Sequence, residues 1–332
     1  MEKKKIATNI KLREFAQEQQ ISPTTLYRVL NNDPNVRPAT RKRIVKALNR
    51  RGYYAYQSGN AKIVMDFFVR SSYLLFFGTK LMQSLSGNGF TISATNYREK
   101  RIAFLDAVAE ADAVIYCSNP DESIIEEAKK ANPHIFSITL FGSARNADIR
   151  FCSNDAFGGQ LVAQHLYDLG HRKHVAVHQA WFHSDAEKRI FYFSSAMKRL
   201  APDCRIDHLY QKVGADFYTL CRDYFLERKE TPSVIYFPMC SAACIFRNAI
   251  LPFLPDNMKN IGIMSYDNYA KQHPGEETEK LDRVDFSTED ILRWVEYLLK
   301  HRPMLGNDDS VEIAMNVKLY VENSVPDLTE TI

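Results

Sequence analysis

Seven short apolar runs recur beyond residue 62: IVMDFFV (63–69), FTISAT (90–95), AVIYC (113–117), IFSITLF (135–141), VAV (175–177), VIYF (234–237) and IGIMS (261–265). Each is short enough to be a buried strand, and none approaches the roughly eighteen apolar residues a membrane span needs. Between them, LVAQHLYDLG (161–170), FYFSSAMKRL (191–200) and YTLCRDYFLERK (218–229) place apolar residues at helical spacing. Parallel strands need a crossover, and helices supply it, so this alternation predicts parallel sheet with helices on both faces. Ligands of such sheets gather at the carboxyl ends of the strands. The length of 332 residues allows two such lobes with a cleft between them, and room for a small separate domain.

The charge distribution marks that small domain. The chain carries +3 overall, but residues 1–60 hold 13 Lys/Arg against 4 Asp/Glu, and the remainder 30 against 36. A basic head on a mildly acidic body fits a polyanion-binding module joined to something with another task. Within the head, Leu12, Phe15 and Ala16 sit at helical spacing, then Gln19-Gln20-Ile21 interrupts. Ser22 is placed to cap the next helix by accepting from the N–H of Thr25, with Pro23 at the first helical position, where a missing N–H costs nothing. Leu26, Val29 and Leu30 make its inward stripe, and the residue before Pro34 ends it. A third helix is expected from about Pro38 to Arg50, with Ile44, Val45 and Leu48 inward and Gly52 as its stop. Two short helices around a tight turn, closed by a third, form a helix-turn-helix. The second helix turns Pro23, Thr24, Tyr27 and Arg28 away from its apolar stripe. Arg28 can reach a guanine edge or a phosphate. Arg41, Lys42 and Arg43 are either a solvated face or phosphate contacts at its margin.

The stretch LREFAQEQQISPTTLYRVLNNDPNVRPATRKRIVKALNRRGY resembles the DNA-binding head of LacI/GalR-family transcriptional regulators. Phe15-Ala16, Ile21-Ser22, Thr25, Arg28 through Asn31, Ala39-Thr40-Arg41, Arg43-Ile44 and Gly52-Tyr53 match that family's pattern. The resemblance implies that Pro23 and Thr24 occupy the variable base-reading positions and that Arg28 contacts a base. It places Ser22, Thr25 and Asn31 at phosphates, with Tyr27 and Tyr53 completing the expected DNA-binding set. Two departures stand out. Gln20 occupies the turn position usually held by Gly, where a left-handed backbone would cost about 1 kcal/mol. The family's hinge helix, whose apolar wedge kinks DNA, is replaced by Tyr54 to Lys62, with Gly59 inside and Lys62 in the wedge's place. An atypical hinge or flexible linker is expected, with Ala61 or a tyrosine as an alternative wedge.

The body continues the resemblance. SNDAFGGQLVAQHLYDLGHRKHVAV (153–177) is similar to the family's segment around D-x-x-G-G and L-G-H-R, KRIFYFSSAM to R-x-x-G-F, with Tyr192 at the glycine, and GIMSYDN to V-x-G-F-D. The implied architecture is a small all-α helix-turn-helix head (1–53), an atypical hinge (54–62), a two-lobed α/β periplasmic-binding-protein-like domain for effector binding and dimerisation (63–325), and a C-terminal tail (326–332). Arg189 and Asp267 then fall where ligand hydroxyls or polar ring edges are met, with Asp155 a further candidate. Phe76, Phe77 and Phe217 are candidate stacking walls, weighed against plain core packing. Pro238-Met239-Cys240 replaces the family's Asn-Asp. The effector is therefore expected to differ from a simple monosaccharide in its contacts, or the pocket to have decayed.

The expected partners are a double-stranded DNA operator, a second copy of the chain and a sugar-like effector, with no membrane and no cofactor. Against a metal site, His171, His174, His178 and His183 show no established ligand spacing, and Cys240 and Cys244 lack a second pair. Against an enzyme, no phosphate-binding glycine loop, nucleophile elbow or suggestively spaced carboxylate pair is present. The basic start leads into no apolar stretch of a secretion signal, which argues against a solute-binding protein for uptake. Six scattered cysteines fit a reduced, cytoplasmic protein. A constitutive DNA-binding dimer with an inert body stands as the alternative to a ligand-responsive repressor.

Overall fold

The computed structural model describes residues 12–30, 33, 35–50, 61–67, 72–118, 120–141, 144–180, 184–212, 214–226, 230–268, 280–301 and 309–329. The first three helices are α1 (Leu12–Glu18), α2 (Pro23–Leu30) and α3 (Pro38–Arg50). Their core is Phe15 and Ala16 of α1, Leu26 and Val29 of α2, and Ile44 and Leu48 of α3. Leu12, Leu30 and Val45 pack at its margin. Val36, from the loop, completes it; a lone valine between turn residues carries no periodic signal.

Beyond the head the chain forms two sheets of six strands. The first contains β1 (Lys62–Phe67), β2 (Thr91–Thr95), β3 (Ala113–Cys117), β4 (Phe136–Leu140), β5 (Ile149–Ser153) and β11 (Val311–Met315). Its order is β2-β1-β3-β4-β5-β11. The second contains β6 (His174–Ala180), β7 (Arg205–Gln211), β8 (Val234–Phe237), β9 (Gly262–Tyr266), β10 (Asp282–Phe286) and β12 (Val317–Tyr320). Its order, β7-β6-β8-β9-β10-β12, repeats the first. The connecting helices are α4 (Ser72–Gly87), α5 (Arg101–Ala109), α6 (Glu122–Ala131), α7 (Asp155–Asp168), α8 (Ser184–Leu200), α9 (Phe217–Leu226), α10 (Cys240–Ile245) and α11 (Thr288–Lys300). Two compact units result: Met1–Cys152 with Thr288–Ile313, and Ser153–Ser287 with Ala314–Ile332.

Alternate positions of each strand meet different helices. In the first sheet Val64, Val114 and Tyr116 pack with Phe104 and Val108 of α5 and Ile124 and Ile125 of α6. On the opposite face, Gly78 of α4 lies so close to Phe67 and Cys117 that a Cβ there would stand 2.5 Å from the Phe67 ring. In the second sheet Ala176, Ile235 and Ile263 pack with Phe217, Cys221 and Phe225 of α9, while Phe193 of α8 meets the ring of Tyr236 on the alternate face.

Strands β5, β7, β10, β11 and β12 were not marked by apolar runs. β7 is an edge strand with a largely exposed pattern, and β10 buries Asp282 and Asp285. Asp282 is tolerated because its carboxylate accepts from the N–H groups of Glu322 and Ser324 and meets His165 Nε2 at 2.9 Å. Lys62, expected at the end of the linker, is instead the first residue of β1, with its N–H on Asp112 Oδ2. Residues 326–329, expected within a C-terminal tail, bond to the second unit. Leu328 N–H donates to Leu169, and His171 Nε2 meets the carbonyl of Pro326 at 2.9 Å. Among the described residues no helix is long and apolar enough to cross a membrane.

Candidate DNA-reading helix and effector site

Helix α2 is set at its start by the sequence preceding it. The α1 end closes with Ile21 N–H on Ala16 O and Gln20 N–H on Gln17 O, a Schellman arrangement that requires a left-handed residue. Gln20 is that residue, with φ of 53°, so the strain anticipated from the missing glycine is present. Ser22 then caps α2: its Oγ accepts from Thr25 N–H at 3.0 Å and lies 2.9 Å from Thr25 Oγ1. Pro23 and Thr24 are exposed at the first turn, and Tyr27 is 58% exposed. The Arg28 side chain is 59% exposed and lies 3.6 Å from Asp33. The four residues read as outward-facing therefore share one exposed face of α2, backed by Leu26 and Val29. Asn31, Tyr53 and residues 54–60 of the expected hinge lie outside the described residues. The structure decides part of the open reading of the α3 basics. Arg41 Nη2 donates to the carbonyl of Asp33 and Arg43 Nη1 to that of Gln19, so both help to hold the head together.

In the second unit, Asp155 opens α7, Arg189 lies in α8, and Asp267 follows β9. Asn154 caps α7 by accepting from Phe157 N–H at 3.2 Å. Arg189 is 7% exposed and stands among acceptors of its own unit. Its Nε donates to Asp155 Oδ1 at 3.0 Å. Nη1 donates to Asp267 Oδ2 and to the Pro238 carbonyl, each at 2.8 Å, and Nη2 points at Asp267 Oδ1 at 3.4 Å. Four of the five guanidinium N–H groups are thereby engaged. The guanidinium carbon sits 3.8 Å from the centre of the Tyr266 ring, a cation–π geometry. Burial disfavours its charge, but Asp267, Tyr266 and Asp155 outweigh that and hold it protonated. Burial raises the Asp155 carboxyl, and Arg189 opposes the rise.

The backbone helps to aim these groups. Asp267 has φ of 68°, and its N–H donates to Val284 O. Phe141 repeats this after β4, with φ of 58° and its N–H on Phe151 O. A left-handed non-glycine residue at a strand end is strained and persists only where its surroundings over-determine it. Two glycines admit the rest. A Cβ on Gly158 would stand 2.3 Å from Tyr266 Oη, which meets Ser153 Oγ at 2.8 Å. A Cβ on Gly159 would stand 2.6 Å from Phe193 N, so the backbones of α7 and α8 approach closely there.

Asp155, Arg189 and Asp267 are thus brought together. Phe77 is 1% exposed, edge-on to Phe141, and Phe217 belongs to the core under α9, its ring 4.7 Å from His178. Of the two readings, stacking wall or core, both rings fall to the core: each is used in packing. Phe76 is half-buried with Lys80 Nζ 4.8 Å over its ring. Tyr266, Ser153 and the Pro238 carbonyl were not anticipated. Tyr266 stands next to Asp267 in the quoted motif, whereas a backbone carbonyl leaves no trace in side-chain pattern. His174 meets Asp207 and His178 meets Gln211, and burial lowers His178 to about 4. Among the described residues no group of three or more metal-ligating side chains converges.

Residues 11–55 match the family model of bacterial regulatory proteins, lacI family. What resembles that family in sequence is the helix-turn-helix head. Solved structures share the fold of the body. A transcriptional regulator of this family from Rhizobium etli is 17% identical with a TM-score of 0.61, covering 81% of this chain and 100% of that one. The lac repressor dimer bound to operator and the anti-inducer ONPF is 15% identical with a TM-score of 0.58, covering 96% of this chain and 100% of that one. A lacI-family regulator from Enterococcus faecium with bound ribose is 17% identical with a TM-score of 0.58, covering 81% and 99% respectively. A search of curated proteins finds no match to the sequence.

Proposed function

We propose that this lacI-family regulator is a cytoplasmic repressor that binds a two-fold operator as a homodimer. In this reading a sugar-like effector at the carboxyl ends of the second unit's strands controls the grip. The exposed face of α2 carries the proposal: Pro23, Thr24, Tyr27 and Arg28 project from a helix capped by Ser22, backed by a closed core. Ser22, Thr25 and Asn31 are assigned to the DNA backbone, Tyr53 to the DNA-binding set without a specific contact, and Asp155, Arg189 and Asp267 to the effector. A dimer on operator DNA and a ribose complex among the structural neighbours support both halves.

Selection of sites from a random duplex library by the full-length protein tests the reading. A two-fold motif is expected, and isolated half-sites with free spacing would contradict a coupled dimer. Arg28→Ala should weaken the selected site by about 1–3 kcal/mol, the worth of a bidentate base contact. Equal loss on random DNA would reassign Arg28 to phosphate.

One observation favours a second reading. Arg189 already gives four N–H groups to its own unit, which fits a constitutive regulator whose site has closed. Titration of sugars and nucleobases against thermal stability separates the two, because a bound ligand raises the midpoint by mass action.

A further inference from the structure

Arg28 is not free on the surface of α2. Its Nε lies 3.6 Å from Asp33 Oδ2, just past the helix end. Asp33 is in turn anchored through one carboxylate oxygen and its backbone. Its Oδ1 accepts from both Asn35 N–H and Asn35 Nδ2 at 2.9 Å. Its own N–H donates to Arg28 O at 2.9 Å, and Arg41 holds its carbonyl. One carboxylate oxygen thus closes the turn, and the other faces the arginine. The bonds from Asn35 keep the carboxyl below its usual range, hence ionised. Its side chain is 26% exposed, beside the residues assigned to DNA.

The geometry has a directional consequence. The pair is an attraction of charges at 3.6 Å, beyond hydrogen-bond reach, and a guanidinium drawn toward a carboxylate by its Nε side leaves Nη1 and Nη2 as an open fork, the shape that guanine O6 and N7 accept bidentately. An unheld arginine on a polyanion instead settles on the nearest phosphate, which carries no sequence information. A fixed negative charge at the same place repels that phosphate.

We propose that Asp33 is a positioning residue for base readout: its charge draws the Nε side of Arg28 so that the terminal fork is turned to a guanine edge, and it disfavours the phosphate alternative. The inference rests on the base-reading role proposed for Arg28. Removing the hold should cost part of the roughly 5–150-fold discrimination one bidentate contact supplies, about 3–10-fold.

The test uses the full-length protein, the duplex site it selects, every single-base variant of that site, and random duplex at fixed salt. Asp33→Asn, which keeps an acceptor for Asn35, should tighten random-duplex binding and lower the specific-to-random ratio by about 3–10-fold. The loss should fall at the base pair where Arg28→Ala loses discrimination, and in the Arg28→Ala background Asp33→Asn should change no base preference. If thermal melting shows that Asp33→Asn does not fold, Asn35→Ala, which frees the carboxylate to rotate, should give a smaller loss at the same base pair. A ratio within about twofold of the parent, or a loss spread evenly over all positions, would overturn the proposal. If Arg28→Ala keeps every base preference, or the parent protein selects no site, the base-reading role falls and the positioning role with it.

Discussion

Replacing Arg189 by Met keeps an unbranched chain but ends it three heavy atoms short, and leaves Asp155 and Asp267 without the guanidinium. Asp155 and Arg189 are each 7% exposed, so solvent screens them little. Removing one partner of a buried ion pair costs about 3–5 kcal/mol. The lost cation–π contact with Tyr266 adds roughly 0.5–2 kcal/mol, of which a thioether over the ring returns a part. At about 2–4 °C per kcal/mol for a unit of this size, the unfolding midpoint of the second unit should fall by roughly 6–28 °C. The pH dependence has a definite sign. Burial raises the folded Asp155 pKa above 3.8, so the folded state holds the proton more tightly than the unfolded chain. Its contribution is therefore most favourable below 3.8 and declines as pH rises through the folded value. Without Arg189 that value moves higher, so the deficit should be largest at neutral pH and shrink as the pH is lowered. Adding Asp155→Asn and Asp267→Asn removes the stranded charges and should restore most of the midpoint. Scanning fluorimetry at two pH values reads all of this. A midpoint within about 2 °C of the parent at both would refute the account of a charge-balanced buried cluster.

The remaining predictions concern the backbone. Gln20→Gly should relieve the left-handed strain at φ 53°, stabilising the head by about 0.5–1 kcal/mol. That corresponds to about 2–5-fold slower hydrogen exchange in α1 and α2; unchanged exchange would mean the turn carries no strain. Gly159→Ala should destabilise the second unit by about 1–3 kcal/mol, since its Cβ meets backbone and cannot be rotated away. A thermal midpoint equal to the parent's would show that α7 and α8 can part there at little cost.

The sequence by itself determined the head almost completely. Cap, proline, apolar stripe and stop are local signals in a short segment, and Phe15, Leu26, Val29, Ile44 and Leu48 are buried as their spacing required. It also determined the alternation of strand and helix, and AVIYC and VIYF are strands with the bounds the runs indicated. Local periodicity holds wherever burial on one or two faces is the sole demand on a segment. Tertiary structure decided what depends on partners remote in sequence. β10 could not be read as a buried strand because Asp282 looks solvent-seeking until His165, Glu322 and Ser324 are seen to satisfy it. Phe77 and Phe217 look alike as ligand walls or core, and only their neighbours choose. Arg189 and Asp267 stand in the sequence as isolated charges. That they form one buried cluster with Asp155 and the Pro238 carbonyl follows from how β9, α7 and α8 converge, because a charge is stabilised by what surrounds it in space and not by its neighbours along the chain.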